Sequence, residues 1–63
     1  MTPRQADRII KNGSPVTVRN THWETTFTAI FTSRDRWTIR TQDGGVYMRD
    51  ELELVQDMRG IPQ

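Results

Sequence analysis

Residues 15–49 read PVTVRNTHWETTFTAIFTSRDRWTIRTQDGGVYMR, and along them apolar residues recur at every second position. A period of two marks a half-buried β-strand, because successive side chains point to opposite faces. Val16 and Val18 alternate with Thr17 and Arg19. Phe27, Ala29 and Phe31 share one face of a run from Thr25 to Thr32. Trp37 and Ile39 stand opposite Arg36, Thr38 and Arg40 in a run from Arg36 to Thr41. Between these runs, Asn20-Thr21-His22-Trp23 reads as a loop or bulge and Ser33-Arg34-Asp35 as a tight turn. Gln42-Asp43-Gly44-Gly45 carries the Asp-Gly pair that supplies the positive φ angles of a hairpin. Val46 to Arg49 is then a fourth strand. Asp50-Glu51 fits one helical turn before a short last strand, Leu52 to Val55.

Upstream the period changes. Thr2 is a good N-cap, Pro3 suits the first helical position, and Gln5 completes a capping-box pattern with Thr2. Ala6, Ile9 and Ile10 form one apolar face at helical spacing, and Asn12-Gly13 supplies the stop. A helix of this length is too short to stand alone in water, so it must lay its apolar face on the strands.

The expected fold is mainly β: a short N-terminal helix followed by five antiparallel strands. So small an all-β domain escapes exposed edges best by curling into a barrel. With 63 residues there is room for one domain, placed at 1–55, with 56–63 as a flexible tail. The chain has no cysteine, so neither a disulfide nor a thiolate metal site staples it. No apolar run approaches the ~20 residues that span a bilayer. The expected setting is cytoplasmic, with no membrane partner.

Net charge is +1, but it is unevenly distributed. Residues 1–14 set Arg4, Arg8 and Lys11 against Asp7. Residues 15–49 set Arg19, Arg34, Arg36, Arg40 and Arg49 against Glu24, Asp35 and Asp43. Residues 50–63 set Asp50, Glu51, Glu53 and Asp57 against Arg59 alone. Eight of the nine basic residues are Arg. Arg grips phosphate through a planar fork and stacks on flat groups, which Lys does not; a GC-rich coding sequence also favours Arg.

Three stretches resemble the Sm-like family in its bacterial, Hfq-type form. Pro15-Val16-Thr17-Val18 follows the helix as the family's Pro-Val-x-Ile does. Ser33-Arg34-Asp35-Arg36-Trp37-Thr38-Ile39 is similar to its Ser-Phe-Asp-x-Phe-x-Ile, and Val46-Tyr47-Met48-Arg49 to its Val-Tyr-Lys-His. The likeness runs from about Ala6 to Val55. Ala29 stands where the family has a glycine, Met48 where it has a basic residue, and Arg49 where it has histidine. A generic SH3-like barrel explains the same pattern. The resemblance implies a five-stranded SH3-like or Sm-like barrel, a homo-oligomeric ring and single-stranded RNA as ligand. It places Trp37 where a base stacks, Arg49 on the phosphate or base edge, and Lys11 on a basic rim.

Nothing in the sequence points to catalysis. His22 is the single histidine, and adjacent to Trp23 and Glu24 it has no metal-ligand spacing. Ser14 and Ser33 sit at turns without a base nearby, and no glycine-rich phosphate loop is present. No enzyme activity, metal or cofactor is expected. Alternation instead turns Thr17, Arg19, Arg36, Thr38, Arg40, Tyr47 and Arg49 away from the core. The candidate nucleic-acid-binding set is therefore Lys11, Arg19, Arg36, Trp37, Arg40, Tyr47 and Arg49, suited to phosphate contact and base stacking. By alternation alone Trp37 is a core residue, so its role stays open between core and ligand. Trp23, in a loop, is either a contact residue or a lid on the barrel end. It anchors the alternative function: a small adaptor or inhibitor that acts on a partner protein.

Overall fold

A computed structural model describes residues 1–55 of the chain. The helix α1 spans Pro3–Asn12 and begins as its sequence dictates. The Thr2 hydroxyl accepts from Gln5 N at 3.1 Å, and the Gln5 side chain accepts from Thr2 N at 3.1 Å. Such a cap is worth about 1 kcal/mol. Gly13 ends the helix at φ +71°, where a side chain would be strained.

Six strands follow: β1 (Val16–Asn20), β2 (Thr25–Ala29), β3 (Phe31–Arg34), β4 (Thr38–Thr41), β5 (Val46–Met48) and β6 (Leu52–Leu54), with a 3-10 turn over Arg49–Glu51 before β6. They pair antiparallel as two three-stranded sheets, ordered β2-β1-β6 and β3-β4-β5. The run expected as one strand from Thr25 to Thr32 is interrupted at Ile30, and its halves join different sheets. Five strands thus become six, and the strand pairing gives two sheets where one closed barrel was expected. A β-bulge at Thr32 adds a second irregularity, since Phe31 pairs with Thr41 but Ser33 with Arg40.

The core draws on every layer: Ala6 and Ile9 from α1, Val18 from β1, Phe31 from β3, Ile39 from β4 and Leu52 from β6. Burying a Val, Leu, Ile or Phe side chain contributes about 1.5–3 kcal/mol. Val16, Val18, Phe27, Ala29 and Ile39 all lie on the inner side, as alternation requires. Trp37 does not: it is 54% exposed. β4 begins only at Thr38, so the alternation that buries Ile39 does not extend back to Trp37. The segment expected as a tail, 56–63, lies outside the described residues. Among the described residues no helix is long and apolar enough to cross a membrane.

Candidate functional site

The turn between β3 and β4 is held at every residue. Asp35 Oδ1 accepts from Trp37 N at 2.9 Å and from Thr38 N at 2.7 Å. Asp35 N donates to Thr38 O at 3.0 Å, and Arg34 Nη1 donates to Asp35 O at 3.0 Å. The two amide donors, Thr38 before Trp37, hold the Asp35 carboxyl below its ordinary value, with Arg40 adding a smaller attraction. Arg49 closes the turn from the other side: its amide donates to Trp37 O at 2.7 Å and its Nε to Arg36 O at 3.4 Å. The indole of Trp37 therefore stands in solvent on a backbone that has few ways to move.

Arg36 is exposed beside it. Arg40 follows on the outer face of β4, paired with Ser33 on one side and Val46 on the other. Neither arginine forms an ion pair among the described residues, where the pairs are Arg19–Glu53, Arg34–Asp7 and Arg49–Asp50. Arg36 and Trp37 thus sit in the β3–β4 turn and Arg40 is the third residue of β4, all three exposed to solvent.

The remaining candidates are placed elsewhere. Arg19 lies on the outer face of the other sheet, among Thr17, Thr26 and Thr28, with Glu53 at 3.7 Å. Tyr47 turns inward, against expectation: it pairs with Ile39, and its ring lies 4.8 Å from that of Phe27. Arg49 also departs from the outward set. Its side chain is 13% exposed, and Nη1 donates to Met1 O at 2.7 Å while pairing with Asp50 at 3.4 Å. Its charge serves the fold.

Lys11 is exposed on α1. Positions 4, 8 and 11 fall within about 60° on a helix of 3.6 residues per turn, so Arg4 and Arg8 join Lys11 in a basic stripe. That stripe lies opposite the buried Ala6 and Ile9. Arg34 clasps the one acidic residue of the helix, Asp7, donating from Nη2 at 2.9 Å, and holds its carboxyl below the ordinary value. Arg4 and Arg8 were absent from the expected set, although their i, i+4, i+7 spacing with Lys11 is visible in the sequence.

Trp23 is 71% exposed in the β1–β2 loop, edge-on to His22 at 5.0 Å. The loop hangs from Asn20, whose Oδ1 accepts from His22 N and Trp23 N, each at 3.0 Å. Glu24 closes it at φ +55°, an uncommon conformation for a residue with a side chain. A shallow cavity of about 280 Å³ lies between Pro15, Thr28, Ile30 and Asp43. Among the described residues no group of three His, Cys, Asp or Glu side chains gathers as a metal site would. No protein-family model, curated protein or solved structure matches the chain.

Proposed function

We propose that this chain binds single-stranded nucleic acid, RNA foremost, through Arg36, Trp37 and Arg40, and acts by binding and not by catalysis. The observation that carries the reading is Trp37: a large aromatic side chain left half in water on a turn tied by hydrogen bonds. A base stacked on such a ring is worth about 1–3 kcal/mol. A turn already ordered loses little conformational freedom when the ligand arrives. Arg36 and Arg40 hold no ion pair among the described residues, Asp35 drawing Arg40 only weakly, and are available to grip phosphates. The stripe Arg4, Arg8 and Lys11 lies on the helix that Asp7–Arg34 fastens to the start of this turn, so a longer strand would find further cations there.

The Sm-like resemblance belongs to the same proposal for its fold and its single-stranded ligand, without the ring it implies. It is supported by the order of elements: an N-terminal helix, a second strand bent at Ile30, and a 3-10 turn before the last strand. Counting β2 and β3 as one bent strand restores the five of a small barrel. The reading keeps Arg36 and Arg40 of the expected set as phosphate contacts and drops Arg49. Anisotropy of a labelled single-stranded RNA of mixed sequence tests it. Binding at low salt that weakens steeply as salt rises is expected; no binding, or binding indifferent to salt, refutes it.

A second reading has its own observation. Trp23 is the most exposed large apolar side chain among the described residues, on a loop pinned by Asn20 and closed by a positive-φ Glu24. It fits the anchor of an interface with a partner protein, where buried aromatics dominate the energy. In that case Trp23→Ala abolishes capture of the partner and leaves RNA affinity unchanged.

A further inference from the structure

In the β4–β5 ladder, Arg49 N donates to Trp37 O at 2.7 Å and Thr41 N to Gly45 O at 2.9 Å. Hydrogen-bonded pairs alternate along an antiparallel ladder, so Gly45, Tyr47 and Arg49 turn their backbone groups toward β4. Val46 and Met48 turn theirs away, to the open side of β5, which ends its sheet. The side chains of these two residues are 59% and 44% exposed on the outer face, beside Arg40 and Thr38. Open edge strands are ordinarily blunted by a charge, a proline or a bulge. β5 carries no charge, proline or bulge, and its length of three residues is what blunts it.

We infer that β5 pairs with β5 of a second copy of this chain, antiparallel about Tyr47, to form a two-fold dimer with a continuous six-stranded sheet. The strand is complementary to itself. Val46 would face Met48 of the second copy, and Met48 its Val46, with four backbone hydrogen bonds between them. Beyond these residues the ladder ends, because Gly44 lies in the hairpin turn and Arg49 opens the 3-10 turn, and Val46, Tyr47 and Met48 set no like charges opposite one another. The outer face would gain an apolar centre of two valines and two methionines.

Of the remaining sheet edges, β6 is a poorer partner for β5. There Val55 N donates to Thr17 O at 3.0 Å, which turns the backbone groups of Leu52 and Leu54 outward. Their side chains share the face opposite Glu53, Leu52 buried in the core and Leu54 43% exposed. Directly opposed residues of an antiparallel pair share a face, so joining β5 antiparallel to β6 would set one copy's outer face against another's interior. Pairing β5 with itself keeps outer face with outer face.

The interface is small, so the dimer belongs to the weak, concentration-dependent class. Sedimentation equilibrium of the full chain, without nucleic acid, tests it across a concentration series. The expected mass rises from one copy to two and stops there. Val46→Lys, at an exposed position, holds the chain at one copy, while Thr28→Lys on the outer face of edge strand β2 leaves the dimer intact. Independently of any variant, amide exchange at Val46 and Met48 should slow as the wild-type concentration rises. A single copy at every concentration, an assembly of three or more, or exchange at these amides that ignores concentration overturns the inference.

Discussion

Arg49 Nη1 and the Met1 carbonyl oxygen lie 2.7 Å apart, joining the approach to the last strand to the residue that precedes the helix cap. The same guanidinium reaches Arg36 O and Asp50, so one side chain fastens the start of α1, the β3–β4 turn and the 3-10 turn.

Arg49 is therefore a residue of the fold, and Arg40 a residue of the surface. Hydrogen bonds to charged groups contribute about 1.5–3 kcal/mol, so Arg49→Ala should cost about 2 kcal/mol of stability in urea unfolding. Arg40→Ala, on the outer face of β4, should change stability by less than about 0.5 kcal/mol. Nucleic-acid affinity should divide the other way, with the salt slope lowered by Arg40→Ala and unchanged in folded Arg49→Ala.

Asp7, Asp35 and Asp43 all titrate below the ordinary Asp value of 3.8. The main causes are the Arg34 hydrogen bond at Asp7, the Thr38 and Trp37 amides at Asp35, and the Thr41 hydroxyl and Gly45 amide at Asp43. A carboxyl with its folded value below its unfolded one stabilises the fold at pH above the unfolded value. That contribution disappears as pH falls through the folded value. Thermal stability should thus hold from neutrality down to about pH 4 and decline below it. Replacing all three by Asn should flatten the acid limb, measured as melting temperature against pH.

Gly45 is required by space and not by its backbone angle. A Cβ there would meet Tyr47 Cε2 at 2.7 Å and Thr41 Oγ1 at 2.8 Å. Gly45→Ala should push Tyr47 off Phe27 and cost about 1–3 kcal/mol, the usual range for overpacking. The loss of Tyr47–Phe27 contact should appear in the aromatic proton shifts of both rings.

The ends of α1 were legible because caps are local: Thr2, Gln5 and Gly13 act within one turn of chain. The face of Tyr47 was not, because it depends on one residue of loop length. A two-residue Asp43-Gly44 turn would pair Arg40 with Tyr47 and turn the ring outward. The hairpin instead uses three residues, Gln42 to Gly44, with Gly44 at φ +91° and Thr41 bonded to Gly45, so Ile39 meets Tyr47. Trp37 escaped alternation because the Asp35 carboxylate draws the amides of Trp37 and Thr38 into the turn. The bend at Ile30 leaves no mark in a run that is β-rich on both sides. Arg4 and Arg8 are visible as partners of Lys11 once the helix is read for its charged face as well as its apolar one.

The most direct test of the account is the affinity of single-stranded RNA measured against salt for the wild type, for Trp37→Ala and for the double variant Arg36→Ala/Arg40→Ala. Trp37→Ala should weaken binding by about 1–3 kcal/mol with the salt slope unchanged, because stacking releases no counterions. The double variant should lower the slope by about 1.4, or ~0.7 for each cation removed from a single strand. Wild-type affinity that neither variant alters would contradict the assignment of this turn as the nucleic-acid site.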